Sequence, residues 1–365
     1  MSVEYIMHTS TSYAIKIDSS HAEHLRKVLL QNNILRTDLR IKKDSEFVFL
    51  PITSKEDIKD TLSNDKSFVI VKNEFEIQET RVNDYKELIS LPKRLQDLLP
   101  TSFDLIGSII LIKLDDELIP SQSIIGAALL QTHSHVESVY RIKAVSGELR
   151  TRSTFLIAGE KQNLTIHKEY GLLFEVDIDK TYFNPRLATE RMYIASQVKN
   201  DEIILDMFTG VAPFPLMISR YAKPKSIIAV DKNKDAIVLA EKNIKRNKIE
   251  TDIRLFHDDA KNIPDIIKLY KTNPDRIIMN LPFHSHDFFL QALKCIKKNA
   301  VIHLYTIGSN DIISERIEKL HDIAKSHGFS ISIQKKREIK TYAPHEFYMG
   351  IDITAKKIKK NADVA

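Results

Sequence analysis

Tryptophan is absent from this chain of 365 residues, cysteine occurs once and glycine only nine times. A single thiol excludes an internal disulfide and any zinc site built on several cysteines. That thiol, Cys295, lies in the apolar run before Ile296 and reads as core. His133 and His135 have no acid or cysteine partner at ligand spacing, so no metal is expected. No apolar run approaches the roughly 18–20 residues of a membrane span. Met1–Ser20 lacks the basic and apolar blocks of a secretion signal, which points to a cytoplasmic protein. What remains is an ordinary globular balance, 43% hydrophobic and 28% charged, with a formal net charge of +5. That mild basicity suits a polyanionic partner without requiring one. The length exceeds one small core and implies two or three domains.

Patterning divides the chain into three. Residues 1–78 alternate strand and helix: Tyr13–Asp18, a helix capped by Ser19 or Ser20 through Leu25 and Leu29, then Glu46–Pro51 and Phe68–Val71. Residues 79–179 read as an α+β domain with a mostly antiparallel sheet. It opens on a helix over Tyr85–Leu99, then a strand over Ile106–Leu114 and a helix from Pro120 to His133. Strands follow at Val139–Ala144, Thr154–Ile157 and Leu172–Ile178. Residues 180–365 alternate strands and helices at the spacing of a doubly wound parallel sheet, the strands starting at Ile203, Ser226, Ile253, Arg276 and Ala300. Ser330–Lys335 and Tyr348–Ile353 close that sheet, and a basic tail from Lys356 is expected to fray.

In such sheets ligands bind beyond the C-terminal ends of the strands, so the strand-to-helix turns should carry the site. The first turn is Asp206-Met-Phe-Thr-Gly-Val-Ala-Pro-Phe214, where Gly210 lets the backbone approach a ligand. Asp206, Phe208, Gly210, Val211 and Phe214 are the candidates there. Asp231, twenty-five residues after Asp206, ends the second strand, where an acid can take both hydroxyls of a ribose. Asp259 and Ala260 follow the third strand; Asp259 could accept from an adenine amine, with Asp258 competing. Asn280, Leu281 and Pro282 follow the fourth. There is no phosphate loop of the Walker type, and one glycine stands where a dinucleotide fingerprint needs three. The set favours S-adenosylmethionine over a nicotinamide cofactor.

Phe183-Asn-Pro-Arg-Leu-Ala-Thr-Glu-Arg191, the first turn, Asn280-Leu-Pro282 and Tyr342-Ala-Pro344 together resemble the Trm5 family, the archaeal and eukaryotic tRNA (guanine-37-N1)-methyltransferases. The sequence looks archaeal, of the Trm5a branch. The resemblance implies a monomer in three parts. A small N-terminal domain docks on the outer corner of tRNA, and the middle and Rossmann-like domains grip the anticodon stem-loop. One departure is Ala212, where the family's turn has a second glycine.

Guanine N1 carries a proton, so methylating it calls for a base near N1 and a donor at O6. Glu190 matches the family's general base. Gly147-Glu-Leu-Arg-Thr-Arg152 resembles its arginine loop, with Arg150 the donor to O6 and Arg152 second. Asn280 matches the residue that holds the target base, which must leave its stack. Arg186, Arg191, Tyr182 and Phe183 complete the candidate substrate site, and Phe283 is a further stacking candidate. Lys93, Arg94, Arg141, Lys143, Lys161, Lys168, Lys335-Lys-Arg337 and Lys340 are candidates for the phosphate grip. The nearest rival is an aminocarboxypropyl transferase of the wybutosine pathway. Others are an enzyme that also methylates carbon 7 of the wyosine precursor, and a silent tRNA-binding protein.

Overall fold

The computed structural model describes residues 9–56, 58, 68–77, 84–143 and 153–358. The chain forms two compact units, Met1–Asn83 and Asp84–Ala365.

In the first unit β1 (Thr9–Asp18), β2 (Lys42–Lys43), β3 (Phe47–Ile52) and β4 (Val69–Glu76) form an antiparallel sheet in the order β2-β3-β1-β4. Helix α1 (Ala22–Gln31) buries Leu25 and Leu29 in one cluster with Ile15, Ile17, Val48 and Leu50. Neither expected serine caps it. The N-cap is His21, without a side-chain bond, and Asp18 Oδ1 instead accepts from the Ser20 amide at 2.8 Å and its hydroxyl at 2.6 Å.

The second unit opens differently from expectation. The helix expected over 85–99 is a 3₁₀ turn, Tyr85–Leu88, and a separate α2 (Lys93–Asp97). Pro92 has no amide to donate and keeps its predecessor out of the helical region, which parts them. The strand expected over 106–114 is a hairpin, β5 (Asp104–Ile106) and β6 (Ile109–Ile112). It reverses at Gly107, whose φ is +56° and where a Cβ would fall 2.2 Å from Thr165 Oγ1. After α3 (Gln122–Thr132) come β7 (Ser138–Ile142) and β8 (Thr154–Gly159), giving the order β5-β6-β7-β8. The sheet is mostly antiparallel, as expected, but α3 carries the chain back so that β7 runs parallel to β6.

A strand the pattern missed, β9 (Leu164–Glu169), pairs with β10 (Leu172–Asp177) as a separate hairpin. Its inward face carries Thr165, His167 and Glu169, so the covered positions give no apolar signal. The β9–β10 hairpin is tied to the third region through asparagines. Asn243 bonds the amide and carbonyl of Glu175 at 2.7 and 3.1 Å, and Asn247 does the same for Leu173 at 2.8 and 2.7 Å.

The last sheet has the order β13-β12-β11-β14-β15-β17-β16. Five strands are parallel: β11 (Ile203–Asp206), β12 (Ser226–Asp231), β13 (Ile253–His257), β14 (Arg276–Met279) and β15 (Asn299–Gly308). The apolar runs of β11, β12, β14 and β15 are buried on both faces, as central parallel strands require, while β13 at the edge is only partly covered. Connecting helices are α5 (Pro213–Tyr221), α6 (Lys234–Arg246), α7 (Ile263–Leu269), α8 (Phe289–Lys294) and α9 (Asn310–Ser326), with α4 (Ala188–Gln197) preceding β11. The two strands expected to close the sheet do so, but against the direction of the others. β16 (Phe329–Ala343) and β17 (Glu346–Lys357) are long and antiparallel, β17 lying between β15 and β16. Only Pro344 and His345 separate them, too short a link for a parallel crossover. Lys356 and Lys357, expected to fray, belong to β17; residues 359–365 lie outside the described residues.

Candidate active site

The first turn is built around two left-handed residues. Gly210 has φ +55°, and the space where its Cβ would point is open to 3.7 Å, where the Tyr182 carbonyl lies. Ala212, fully buried at the N-terminus of α5, takes φ 65° and ψ 39°. An alanine holds this left-handed conformation, which favours glycine, at a cost of about 1 kcal/mol. Asp231 closes it from the next strand, its Oδ2 accepting from Gly210 N–H at 2.6 Å and its Oδ1 from Asn233 N–H at 2.9 Å.

Asp206 has no solvent exposure. Its Oδ1 receives a long bond from the Phe208 amide at 3.4 Å, and its Oδ2 and the neighbouring Thr209 hydroxyl have no hydrogen-bond partner among the described residues. Burial pushes the Asp206 carboxyl up to about 7, the Phe208 amide and the adjacent Thr209 side chain opposing and the Asp231 charge adding to the rise. A turn with room for a backbone approach, an unsatisfied buried acid and a carboxylate on the next strand fits S-adenosylmethionine. The turn from Asp206 would take its amino-acid end and Asp231 its ribose. Asp259 is turned onto its own loop, accepting from Lys261 N–H at 2.9 Å and pairing with Lys232 at 3.3 Å. Asp258 likewise accepts from the Asp259 amide and the Asn262 side chain. Ala260 is buried beside them.

The raised Asp206 carboxyl has a consequence for stability. Between about pH 4 and 7 the unfolded chain has released this proton while the folded chain keeps it, so stability falls as pH rises through that window. Three pH units correspond to at most about 4 kcal/mol. Denaturant titrations of the cofactor-free protein at pH 4 and pH 8 should show Asp206→Asn gaining stability over the parent at pH 8 but not at pH 4. An equal difference at both would show that Asp206 does not titrate there.

The fourth turn is fixed by Ser285, whose hydroxyl donates to Met279 O at 2.7 Å and accepts from Leu281 N–H at 3.1 Å. Pro282 O accepts from Ile307 N–H at 3.1 Å. Asn280 Oδ1 accepts from the Tyr348 hydroxyl at 2.5 Å. Phe283 is 37% exposed, edge-on to Tyr342 at 5.6 Å.

Glu190 lies in the first turn of α4 and is 8% exposed. Its Oε1 accepts from the Tyr305 hydroxyl at 3.0 Å and from Arg337 Nη2 at 2.8 Å. Burial first, and then the Glu190 charge, hold the Tyr305 phenol well above its ordinary range, so it stays a donor. The Tyr305 ring also packs on Tyr348 at 6.1 Å, which links Glu190 to the Asn280 turn.

The other candidates separate. Arg191, expected at the substrate, is 1% exposed. It clasps Glu169 at 2.8 and 2.5 Å, bonds Asn184 O and lies over Phe183, so it cannot reach an incoming base. Phe183, expected to stack on the base, is buried against His167 and Phe174. Phe214 is buried against Tyr305, and Val211 is also core. Phe208 packs edge-on to Phe288 at 5.3 Å. Arg186 is partly exposed and spans to Asp104 at 2.7 Å and Phe103 O at 3.2 Å. Tyr182 is half-buried beside the turn. Arg150 and Arg152 lie outside the described residues. Arg337, expected to grip phosphate, turns inward instead. Tyr305, Tyr348 and Arg337 were missed as site residues because their role depends on strand pairing, not on a local motif.

Three family models match in series: the tRNA methyltransferase 5 N-terminal domain over residues 14–60, the TYW2 N-terminal domain over 85–162 and the TRM5/TYW2 methyltransferase domain over 165–332. The tRNA (guanine(37)-N(1))-methyltransferase Trm5b of Pyrococcus abyssi is 34% identical, covering 93% of this chain and 98% of that one. The chain belongs to the Trm5 family. The crystal structure of the Pyrococcus abyssi Trm5b superposes with a TM-score of 0.74, covering 94% of this chain and 99% of that one. A Trm5 solved in complex with tRNALeu gives 0.73 at 33% identity, covering 95% and 99%. The relatives from Pyrococcus abyssi and Methanocaldococcus jannaschii, 34% and 33% identical, are both Trm5b, which corrects the expected Trm5a branch. The aminocarboxypropyltransferase of Pyrococcus horikoshii is 30% identical but aligns with only 73% of this chain, against 95% of its own length. Trm5 enzymes of this kind use S-adenosylmethionine, and the site geometry above fits that cofactor.

Proposed function

We propose that Glu190 is the general base of this Trm5 enzyme and that Asn280 holds the base it acts on. As a member of the family the chain transfers a methyl group from S-adenosylmethionine to N1 of guanine 37 in tRNA. When bound, the cofactor supplies an electrophilic methyl on a sulfonium. The chain's own residues must remove the N1 proton and position the ring. The observation that carries the assignment is the Glu190 carboxylate, held by two donors that both fall on Oε1. Oε2 is the oxygen left to take the proton, and the electron pair of the broken N–H bond stays on N1 to form the new N–C bond. Asn280, its carbonyl engaged by Tyr348, has its amide nitrogen to offer to the purine. Arg150, with Arg152 second, is the proposed donor to O6.

The proposed tRNA contacts are the outer corner for residues 1–78 and the anticodon stem-loop for the rest, with the chain acting as a cytoplasmic monomer. Supporting features include the exposed Phe155 ring, with Arg141 4.3 Å and Lys143 5.7 Å from its centroid, a surface suited to RNA. Among the described residues no helix is long and apolar enough to cross a membrane. The proposed division at 78 lies in the gap between the models matched over 14–60 and 85–162, whereas the one at 179 lies inside the model matched over 165–332. The hairpin of β9 and β10 falls on the middle side of the second division, although Asn243 and Asn247 hold it from beyond.

Nucleoside mass spectrometry of unmodified transcripts incubated with enzyme and cofactor tests the reading. A G37 transcript should gain one methyl on guanosine, and an A37 transcript none. Methyladenosine formed at a comparable rate would refute recognition through N1–H and O6, while an aminocarboxypropyl product would place the chemistry with the rival transferases.

A further inference from the structure

Arg337 lies on β16, in the antiparallel part of the sheet, and its guanidinium is shared. One nitrogen, Nη2, donates to Glu190 Oε1 at 2.8 Å; the other, Nη1, donates to Asp352 Oδ2 and to the Tyr193 hydroxyl, the latter at 3.3 Å. Its face packs on the Tyr193 ring at 4.2 Å. Asp352 is braced in turn by His303, its register partner on β15, at 2.6 Å from Nδ1. His303 is fully buried, and its Nε2 meets Arg276 Nη1 at 2.7 Å. Burial holds the imidazole below its ordinary range, so it is neutral and donates to Asp352 from Nδ1 while accepting at Nε2. Arg276 closes the row on Glu202 at 2.8 and 3.1 Å.

β17 carries Gly350 where this pair meets. A Cβ there would come within 3.0 Å of Arg337 Nη2 and 3.4 Å of Glu190 Oε1. The strand is bare at the point where the guanidinium and carboxylate need to approach.

We propose that Arg337, braced by Asp352, is the positioning residue that holds Glu190 by one carboxylate oxygen and leaves the other for the guanine proton. The inference rests on the reading of Glu190 as base. A cation devoted to Glu190 alone would fix it but weaken it as a base. Because Asp352 neutralises much of the guanidinium charge, Arg337 can hold Glu190 without that loss. Glu190 is met by Tyr305 on β15 and Arg337 on β16; around that pair, Tyr193 on its own helix and Asp352 on β17 contact Arg337, Tyr348 on β17 packs on Tyr305, and Lys335 on β16 lies over the Tyr193 ring. Arg337 and Asp352 act on it in opposite directions.

Single-turnover methylation of a G37 transcript, measured against pH with saturating cofactor, tests this. Arg337→Met should lower the rate on the order of 10²-fold, the cost of roughly 1 Å of misplacement. It should also move the acidic limb of the profile upward, by roughly one to three units. Asp352→Asn should move that limb downward, because Arg337 is no longer neutralised. Arg337→Lys, with the charge but not the fork that spans two carboxylates, should fall between Met and the parent. Melting temperature and cofactor affinity, measured on each variant, separate positioning from folding. Limbs that stay in place, or move the same way in both variants, overturn the proposal, as does a rate loss fully explained by weaker cofactor binding. If Arg337→Met does not fold, the Lys and Asn variants still decide it. Glu190→Gln with an undiminished rate would instead overturn the base assignment underneath, and is distinguishable because it leaves Arg337 in place.

Discussion

Glu190→Gln should slow the methyl-transfer step by about 10²–10⁴-fold, the range for loss of a positioned base, with cofactor affinity unchanged. The glutamine is nearly isosteric, and its carbonyl oxygen can still accept from Tyr305 and Arg337, so the surroundings should hold their shape. What it cannot do is take a proton from N1. The loss should therefore appear in the rate constant under single-turnover conditions and not in the cofactor dissociation constant measured by calorimetry. A variant that turns over like the parent would remove Glu190 from the chemistry. One that loses cofactor binding in step with rate would make it a structural acid.

The neighbouring residue should give the largest stability effect. Arg191 and Glu169 form an ion pair whose side chains are 1% and 3% exposed. Arg191→Met leaves the Glu169 carboxylate buried without its cation, a change worth about 3–5 kcal/mol. Replacing both partners, as in Arg191→Met with Glu169→Met, should recover most of the loss, since well-packed apolar side chains substitute for buried pairs. Thermal denaturation of the three variants checks this. Below its melting transition the single variant should keep methylation within a few-fold of the parent. A stable Arg191→Met protein with weakened tRNA affinity would restore the substrate role that burial argues against.

The contrast between Glu190 and Arg191 shows why part of the site could not be read from the sequence. Consecutive residues on a helix point about 100° apart. An adjacent Glu and Arg look like one charged surface pair, yet one faces the site and the other clasps β9. The central parallel strands were legible because they are apolar runs ending at a polar turn, as Ile203–Asp206 and Arg276–Met279 show. The strand-to-helix turns were legible for the same reason. β9 was not, because its face is polar, and neither was the direction of β17, which depends on a two-residue link. Arg337 is the clearest failure. In a Lys-Lys-Arg run the charges look alike, but neighbouring strand residues point to opposite faces. Lys336 is exposed while Arg337 is turned inward.

The late position of β16 and β17 in the chain sets an order for biosynthesis. The five parallel strands, with Asp206, Asp231 and Asn280, leave the ribosome before residue 337 has been added. Until then the chain carries the acids and the amide of the proposed site without the arginine and tyrosine that hold Glu190 and Asn280. A premature stop after α9 would also leave β15 without its antiparallel partner, so the hold on Glu190 and the closing of the sheet arrive together.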